Sequence, residues 1–283
     1  MTAAWKRGLA RGLLGFLFKA HFMRRRALAV LSRHFAKGEL TLRYRMPDHT
    51  LFLDPGDDVI AARVLLRGDW QRRDLERAVA MLKLHVPGAA GKLFVDAGAN
   101  IGTETVYAML SGFFSGAVSI EPEPRNFALL TENVEVNGLT ARVHGVNCAV
   151  GRSESTHALV RSDWNKGGHT IGEGKGGMTV KVLPLPVILG SAGYEASDVG
   201  LVWIDVNGTE MQVLEGMRDM LAMRVPVVIE HLPALVGVDA ARAVHALLAM
   251  YYTSFARIDG ADGGPASLNK MNPLRDSGDF LFF

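Results

Sequence analysis

The chain of 283 residues has one cysteine, Cys148, so no disulfide forms within it and the count suits a reducing compartment. It has no stretch near the roughly 18 consecutive apolar residues of a spanning helix. The longest early run, Gly12 to Phe18, is bounded by Arg11 and Lys19. That run is also short for a secretory signal, and no small-x-small cleavage site follows it. Net charge is only +2, which by itself selects no partner. With 48% apolar and 21% charged residues, the composition is that of an ordinary globular protein and excludes wholesale disorder.

The distribution of charge says more than its sum. Residues 1–45 hold 11 Lys and Arg against one acid, Glu39; the rest of the chain holds 20 against 28. A basic head thus precedes a mildly acidic body. Within residues 1–38, Trp5, Leu9, Leu13, Phe16, Leu17 and Ala20 recur at steps of three or four and form one helical stripe. Lys6, Arg7, Arg11 and Lys19 lie mostly off it, and Arg24, Arg25 and Arg26 follow. Two readings stand. The helix lies on an anionic membrane surface, cations at the phosphates; or its stripe packs on protein and the arginines are solvated. The corresponding location is cytoplasmic, at the inner face of the membrane under the first reading. No aromatic-basic platform accompanies the charge, so nucleic acid is not an expected partner.

Residues 39–90 read as a hairpin (Leu40–Arg45 and Leu51–Leu53) followed by helices over Asp57–Leu66 and Asp74–Leu84. From residue 91 to 283, strands and helices alternate. The expected strands are Leu93–Asp96, Ala117–Glu121, Arg142–Val146, Gly200–Val206, Pro226–Glu230 and Asp279–Phe283. The expected helices are Ile101–Leu110, Arg125–Asn137, Thr209–Leu221 and Asp239–Met250. Such alternation predicts an α/β fold, a mostly parallel sheet with helices on both faces. A glycine-rich insertion, 153–193, breaks the rhythm and is either a lid over a site or a plain hairpin connection.

The strongest local signal is Phe94-Val95-Asp96-Ala97-Gly98-Ala99-Asn100-Ile101-Gly102, a strand turning into a helix. Gly98 permits a sharp turn and Gly102 a close approach. A helix start near Asn100 would aim free N–H groups at a ligand. The pattern is G-x-N-x-G, without the third glycine that G-x-G-x-x-G requires at this turn. Asp96 would repel a pyrophosphate and attract an ammonium. Both points exclude a nicotinamide-dependent oxidoreductase. Glu121, at the next strand end, suits the hydroxyls of an unphosphorylated ribose. Asn147 and Ala149, after the third strand, are either an adenine-facing pair or an ordinary loop.

These residues, with Glu121-Pro122-Glu123-Pro124, Asn126, Asn133, Asn137, the string Ile204 to Glu210, Val213 to Gly216 and Pro226 to Glu230, resemble the FkbM-type S-adenosylmethionine-dependent methyltransferases over roughly residues 50–283. The resemblance implies a class I, Rossmann-like fold of seven strands ending in a reversed hairpin. It implies S-adenosyl-L-methionine as cofactor and methyl transfer, typically to oxygen, on a sugar, glycan or natural product. It further implies that Asp96, Gly98, Asn100 and Gly102 hold the methionine end, Glu121 the ribose, and Asn147 with Ala149 the adenine. Two positions depart from the family pattern: Trp203 stands for its lysine and Asn207 for its glutamate. They leave open a second reading, a non-catalytic methyltransferase-fold binding module anchored by the basic helix.

Methyl transfer to a hydroxyl needs a base to take the proton. Asp205 ends the fourth strand, Glu230 and His231 end the fifth, and His169 lies on the insertion; Asp205, His169 and Glu230 are the candidates. No tight ligand spacing supports a metal.

Overall fold

The computed structural model describes residues 41–57, 59–160, 170–172, 178–260 and 264–283, in two compact units. The basic segment 1–38 and His169 lie outside the described residues. In the described part of the first unit, β1 (Leu42–Arg45) and β2 (Thr50–Leu53) pair antiparallel. Helix α1 (Ile60–Arg67) stops at Gly68, left-handed with φ 91°, whose N–H returns to the Val64 carbonyl.

The second unit opens with α2 (Arg72–His85), which buries Leu75, Ala78, Val79 and Leu82 on one stripe and ends before Pro87. Then come β3 (Leu93–Ala97), α3 (Thr103–Leu110), β4 (Gly116–Ile120), α4 (Pro124–Val136) and β5 (Val143–Val146). Pro124 starts α4 because its missing N–H costs nothing there, and the Glu123 carboxylate accepts the Asn126 N–H.

The described residues of the insertion form more than a two-stranded connection. β6 (Ala149–Val150), β7 (Ser155–Val160), β8 (Thr170–Gly172) and β9 (Met178–Leu183) form a second sheet in the order β6-β9-β7-β8. Ala149, Leu159, Val180 and Val182 form its apolar core. After it come α5 (Leu185–Ser191), β10 (Val199–Ile204), α6 (Glu210–Gly216) and α7 (Arg218–Ala222). The single helix expected over Thr209–Leu221 is thus two. They part at Met217 (φ −122°), next to Gly216, where a Cβ would stand 2.2 Å from the Gly151 carbonyl oxygen, so two backbones come close where α6 stops.

The chain closes with β11 (Val227–His231), α8 (Pro233–Val236), α9 (Val238–Ala249), β12 (Ser254–Arg257), β13 (Ala266–Ser267) and β14 (Gly278–Phe282). The main sheet has eight strands, ordered β13-β12-β14-β11-β10-β3-β4-β5. The parallel run β11-β10-β3-β4-β5 is continued by antiparallel β14 and β12, the reversed hairpin. The eighth strand, beyond the seven expected, is the two-residue β13 at the edge. β3, β4 and β10 are buried along their whole length, which is why their sequences are nearly unbroken apolar runs. Val95, Val118, Ile120, Val202, Ile204 and Ile229 sit in the core, each such side chain contributing roughly 1.5–3 kcal/mol.

Candidate active site

From β3 the chain winds one way to β4 and β5; β10 and β11 lie on β3's other side. The carboxyl ends of β3 and β10 are therefore the switch point, where an open α/β sheet leaves a crevice. The two strand ends are sewn together there: the Asp205 N–H bonds the Ala97 carbonyl at 3.0 Å. Gly98 (φ 92°) lies so near that a Cβ would meet the Asp205 carbonyl oxygen at 1.9 Å. The helix start near Asn100 was expected to present free N–H groups, but those of Gly98, Ala99, Asn100 and Gly102 are committed. Gly98 and Ala99 both donate to the Ile120 carbonyl (3.0 and 2.9 Å), Gly102 to Ala99 (2.7 Å), and Asn100 to the Glu121 carboxylate (2.9 Å). α3 itself starts only at Thr103. This loop is not a phosphate cradle.

What the crevice does hold is carboxyl groups. Asp96 is 2% exposed; its Oδ2 accepts the Thr105 hydroxyl at 2.5 Å, and Thr105 meets the Ser119 hydroxyl at 2.7 Å. Burial lifts its pKa to about 7, although Thr105 pulls downward. Glu104, in the first turn of α3, is 6% exposed. Its Oε2 accepts from the Thr103 hydroxyl at 2.6 Å, and its Oε1 is buried with no hydrogen-bond partner. Burial, then the neighbouring charge of Asp96, pushes it well above the carboxylate range. Asp205 is likewise raised, by burial first and then by Glu230, Asp279, Glu210 and Asp96. Glu121, 5% exposed, accepts from the backbone N–H of Glu123 (2.8 Å) and of Asn100; burial lifts it to about 7.

Beyond Asp205 the acids continue across the sheet. Ile204 pairs with Ile229, so Asp205 and Glu230 follow on neighbouring strands, and Glu230 is registered opposite Asp279 on β14. Asp279 is raised to about 7 by burial and by Glu230, while the Gln71 side-chain amide donates to it at 3.2 Å. Glu230 is raised too, by burial and by Glu210. His231 turns away: its Nε2 meets the Pro273 carbonyl at 2.9 Å and its ring lies edge-on to Phe280.

Of the expected site residues, the structure brings Asp96, Gly98, Asn100, Gly102, Glu121 and Asp205 together at the ends of β3, β4 and β10, with Glu230 next to Asp205. Asn147 uses its amide to donate to the Glu121 and Pro122 carbonyls (2.8 and 3.1 Å), bracing the β4 end. Ala149, expected at the adenine, packs in the small sheet with Leu159, Val180 and Val182. Asn133 donates to the Ile101 carbonyl at 2.8 Å and ties α4 to the loop. Sequence reasoning missed Glu104, Thr105, Ser119 and Asp279. Thr103-Glu104-Thr105 reads as an unremarkable first helical turn, and only the tertiary structure shows that it faces Asp96.

A positively charged nucleoside fits this donor set. The crevice offers hydrogen-bond acceptors, one of them orphaned, and the N–H groups of Gly98, Ala99, Asn100 and Gly102 are already spent within the protein. Among the described residues no group of three or more His, Cys, Asp and Glu side chains is placed to hold a metal ion.

The Methyltransferase FkbM domain profile matches residues 96–248, more than half of the chain. No curated protein matches it significantly. Among solved structures it is similar to a methyltransferase FkbM from Methylobacillus flagellatus KT, with 17% identity, a TM-score of 0.47 and 68% of this chain aligned to 44% of that one. The chain therefore spans less than half of that relative's length. It is also similar to the B. subtilis tRNA methyltransferase TrmK (14% identity, 74% of this chain, 64% of that one, TM-score 0.39). A third likeness is the C-terminal domain of a precorrin-6Y methyltransferase from Rhodobacter capsulatus (16%, 72%, 86%, TM-score 0.38).

Proposed function

Because this chain belongs to the FkbM methyltransferase family, we propose that it binds S-adenosyl-L-methionine and transfers a methyl group to a hydroxyl on a sugar, glycan or natural-product acceptor. The observation that carries the reading is the set of carboxyl groups at the strand ends, Asp96 and Glu121 buried and Asp205 half-buried, around a loop in which the N–H groups of Gly98, Ala99, Asn100 and Gly102 are spent. Such a site disfavours anions and gains from a cation. Asp96 and the loop from Gly98 through Asn100 to Gly102 would hold the methionine end. Glu121 would take a ribose hydroxyl, and Asn147, which braces the end of β4, would lie towards the adenine. When bound, this cofactor supplies an electrophilic methyl group on a positively charged sulfur.

The chain's own work is alignment and proton removal. Asp205 is the proposed base, at the strand end nearest Gly98. Burial and its acidic neighbours raise its pKa in the free protein, and positive charge beside it lowers it again and favours the carboxylate form that accepts the hydroxyl proton. Glu230 and Asp279 extend a row of acceptors in which a polyhydroxylated molecule finds partners. His169 stays a candidate from the sequence.

Calorimetry with S-adenosylmethionine tests the binding half; Asp96→Ala and Glu121→Ala should each weaken it about 10- to 100-fold. Incubation with labelled methyl donor and a panel of saccharide and lipid-linked acceptors tests the chemistry. A folded protein that does not bind the cofactor removes the reading. Trp203 and Asn207 favour a second one, a binding module without turnover; binding of the cofactor with no product across the panel and in cell extract is its signature.

A further inference from the structure

We propose that Glu104 is the carboxylate that receives the cofactor's α-ammonium, and that its proton is released to solvent as the ammonium arrives. The proposal rests on the sulfonium-nucleoside reading of the crevice. It starts from an anomaly. Glu104 is 6% exposed, yet Oε1 has no hydrogen-bond partner. A buried polar atom left unpaired costs roughly 1–3 kcal/mol, more if charged, and native structures retain few of them. A purely structural acid at a helix start would turn to water and complement the helix dipole there.

The surroundings sharpen the point. The neighbouring charges that raise Glu104 most are Asp96 on β3 and then Asp205 behind β10, both acids. From α2, Arg72 lies over the Tyr107 ring, 5.5 Å from its centre. Asp96 already accepts the Thr105 hydroxyl, whereas Glu104 has an acceptor to spare. A cation that donates hydrogen bonds supplies both missing things, a donor for Oε1 and positive charge among three acids. In the free protein, burial raises the pKa of all three acids, and for Glu104 and Asp205 neighbouring negative charge adds to it, which favours the protonated forms. Bringing in an ammonium turns the Glu104 carboxyl into carboxylate plus one proton, which leaves to solvent.

The test is calorimetry on the full chain with two ligands, S-adenosylmethionine and 5′-methylthioadenosine, which lacks the amino-acid portion. Each titration is run in buffers of different ionisation enthalpy between about pH 6 and 8. The wild-type protein should release more protons with the first ligand than with the second, and affinity for the first should rise more steeply with pH. Glu104→Gln should bind the first about 10- to 100-fold more weakly, release fewer protons, and bind the second as the wild type does. Unchanged binding of both ligands by Glu104→Gln, or no greater proton release from the wild type with the first ligand than with the second, overturns the proposal while leaving the cofactor reading intact. Wild-type protein that binds neither ligand overturns both. Should Glu104→Gln not fold, Glu104→Asp, which keeps the charge on a shorter arm, should still release the proton at reduced affinity; wild-type affinity from it overturns the proposal too.

Discussion

Gly98 and Asn133 act on the same loop by opposite means. At Gly98 a side chain is forbidden, because its Cβ would lie 1.9 Å from the Asp205 carbonyl oxygen and φ is 92°. Gly98→Ala should therefore cost about 3 kcal/mol or more in chemical denaturation. Gly138→Ala is the control: φ is 68° but nothing lies within 4 Å, so only about 1 kcal/mol of backbone strain is expected. At Asn133 a side chain is required. Asn133→Ala leaves the buried Ile101 carbonyl unpaired, and a loss of about 1–3 kcal/mol should accompany weaker cofactor binding. For Asp205→Asn, turnover should fall about 100- to 10,000-fold, well beyond any loss of cofactor affinity, if its carboxylate takes the hydroxyl proton; wild-type turnover would assign the base elsewhere.

Secondary elements were read from the sequence with differing success, for physical reasons. β3, β4 and β10 are covered on both faces, so each is a short apolar run bounded by Gly, Pro or Asp, and their expected limits lie within two residues of those found. The helix expected over Thr209–Leu221 has a continuous apolar rhythm, and Gly216 is the one local sign of its break. That this position must be glycine is decided by Gly151, some 65 residues earlier in the chain, whose carbonyl lies against it. Gly216→Ala should force α6 off the β6–β7 turn and lower the thermal midpoint by more than an exposed Gly→Ala change does. The insertion shows the same limit. β7 and β9 alternate legibly once paired, but partner choice across a glycine-rich stretch is not a local property.

At the scale of the whole molecule the carboxyl groups set a pH dependence. Asp96, Glu121 and Asp279 have folded pKa values of about 7, against roughly 4 when unfolded. Between those values the folded state holds more protons than the unfolded one, so stability falls as pH rises. Their contribution is complete below about pH 4 and lost as pH passes through about 7. The ligand-free protein should thus show a higher denaturant midpoint at about pH 5.5 than at about pH 8. Saturating S-adenosylmethionine should shrink that difference, because the ligand's cation compensates the acids it meets. A midpoint that climbs from pH 5.5 to 8 without ligand contradicts the account. For the basic head, deletion of residues 1–38 should abolish co-sedimentation with anionic vesicles; equal pelleting of both forms assigns any membrane contact to the body.

The sequence by itself determined the alternating α/β order, the strand ends that carry Asp96, Glu121 and Asp205, and the kind of ligand they suit. These follow from local rules, the period of apolar residues and the chemistry of a strand tip. Only the tertiary structure decided which donors remain free, how the insertion pairs, where the helix breaks, and that Glu104 and Asp279 join the acids. Each of those depends on atoms far apart in the chain occupying one small, dry space, where a hydrogen bond spent in one place is unavailable in another.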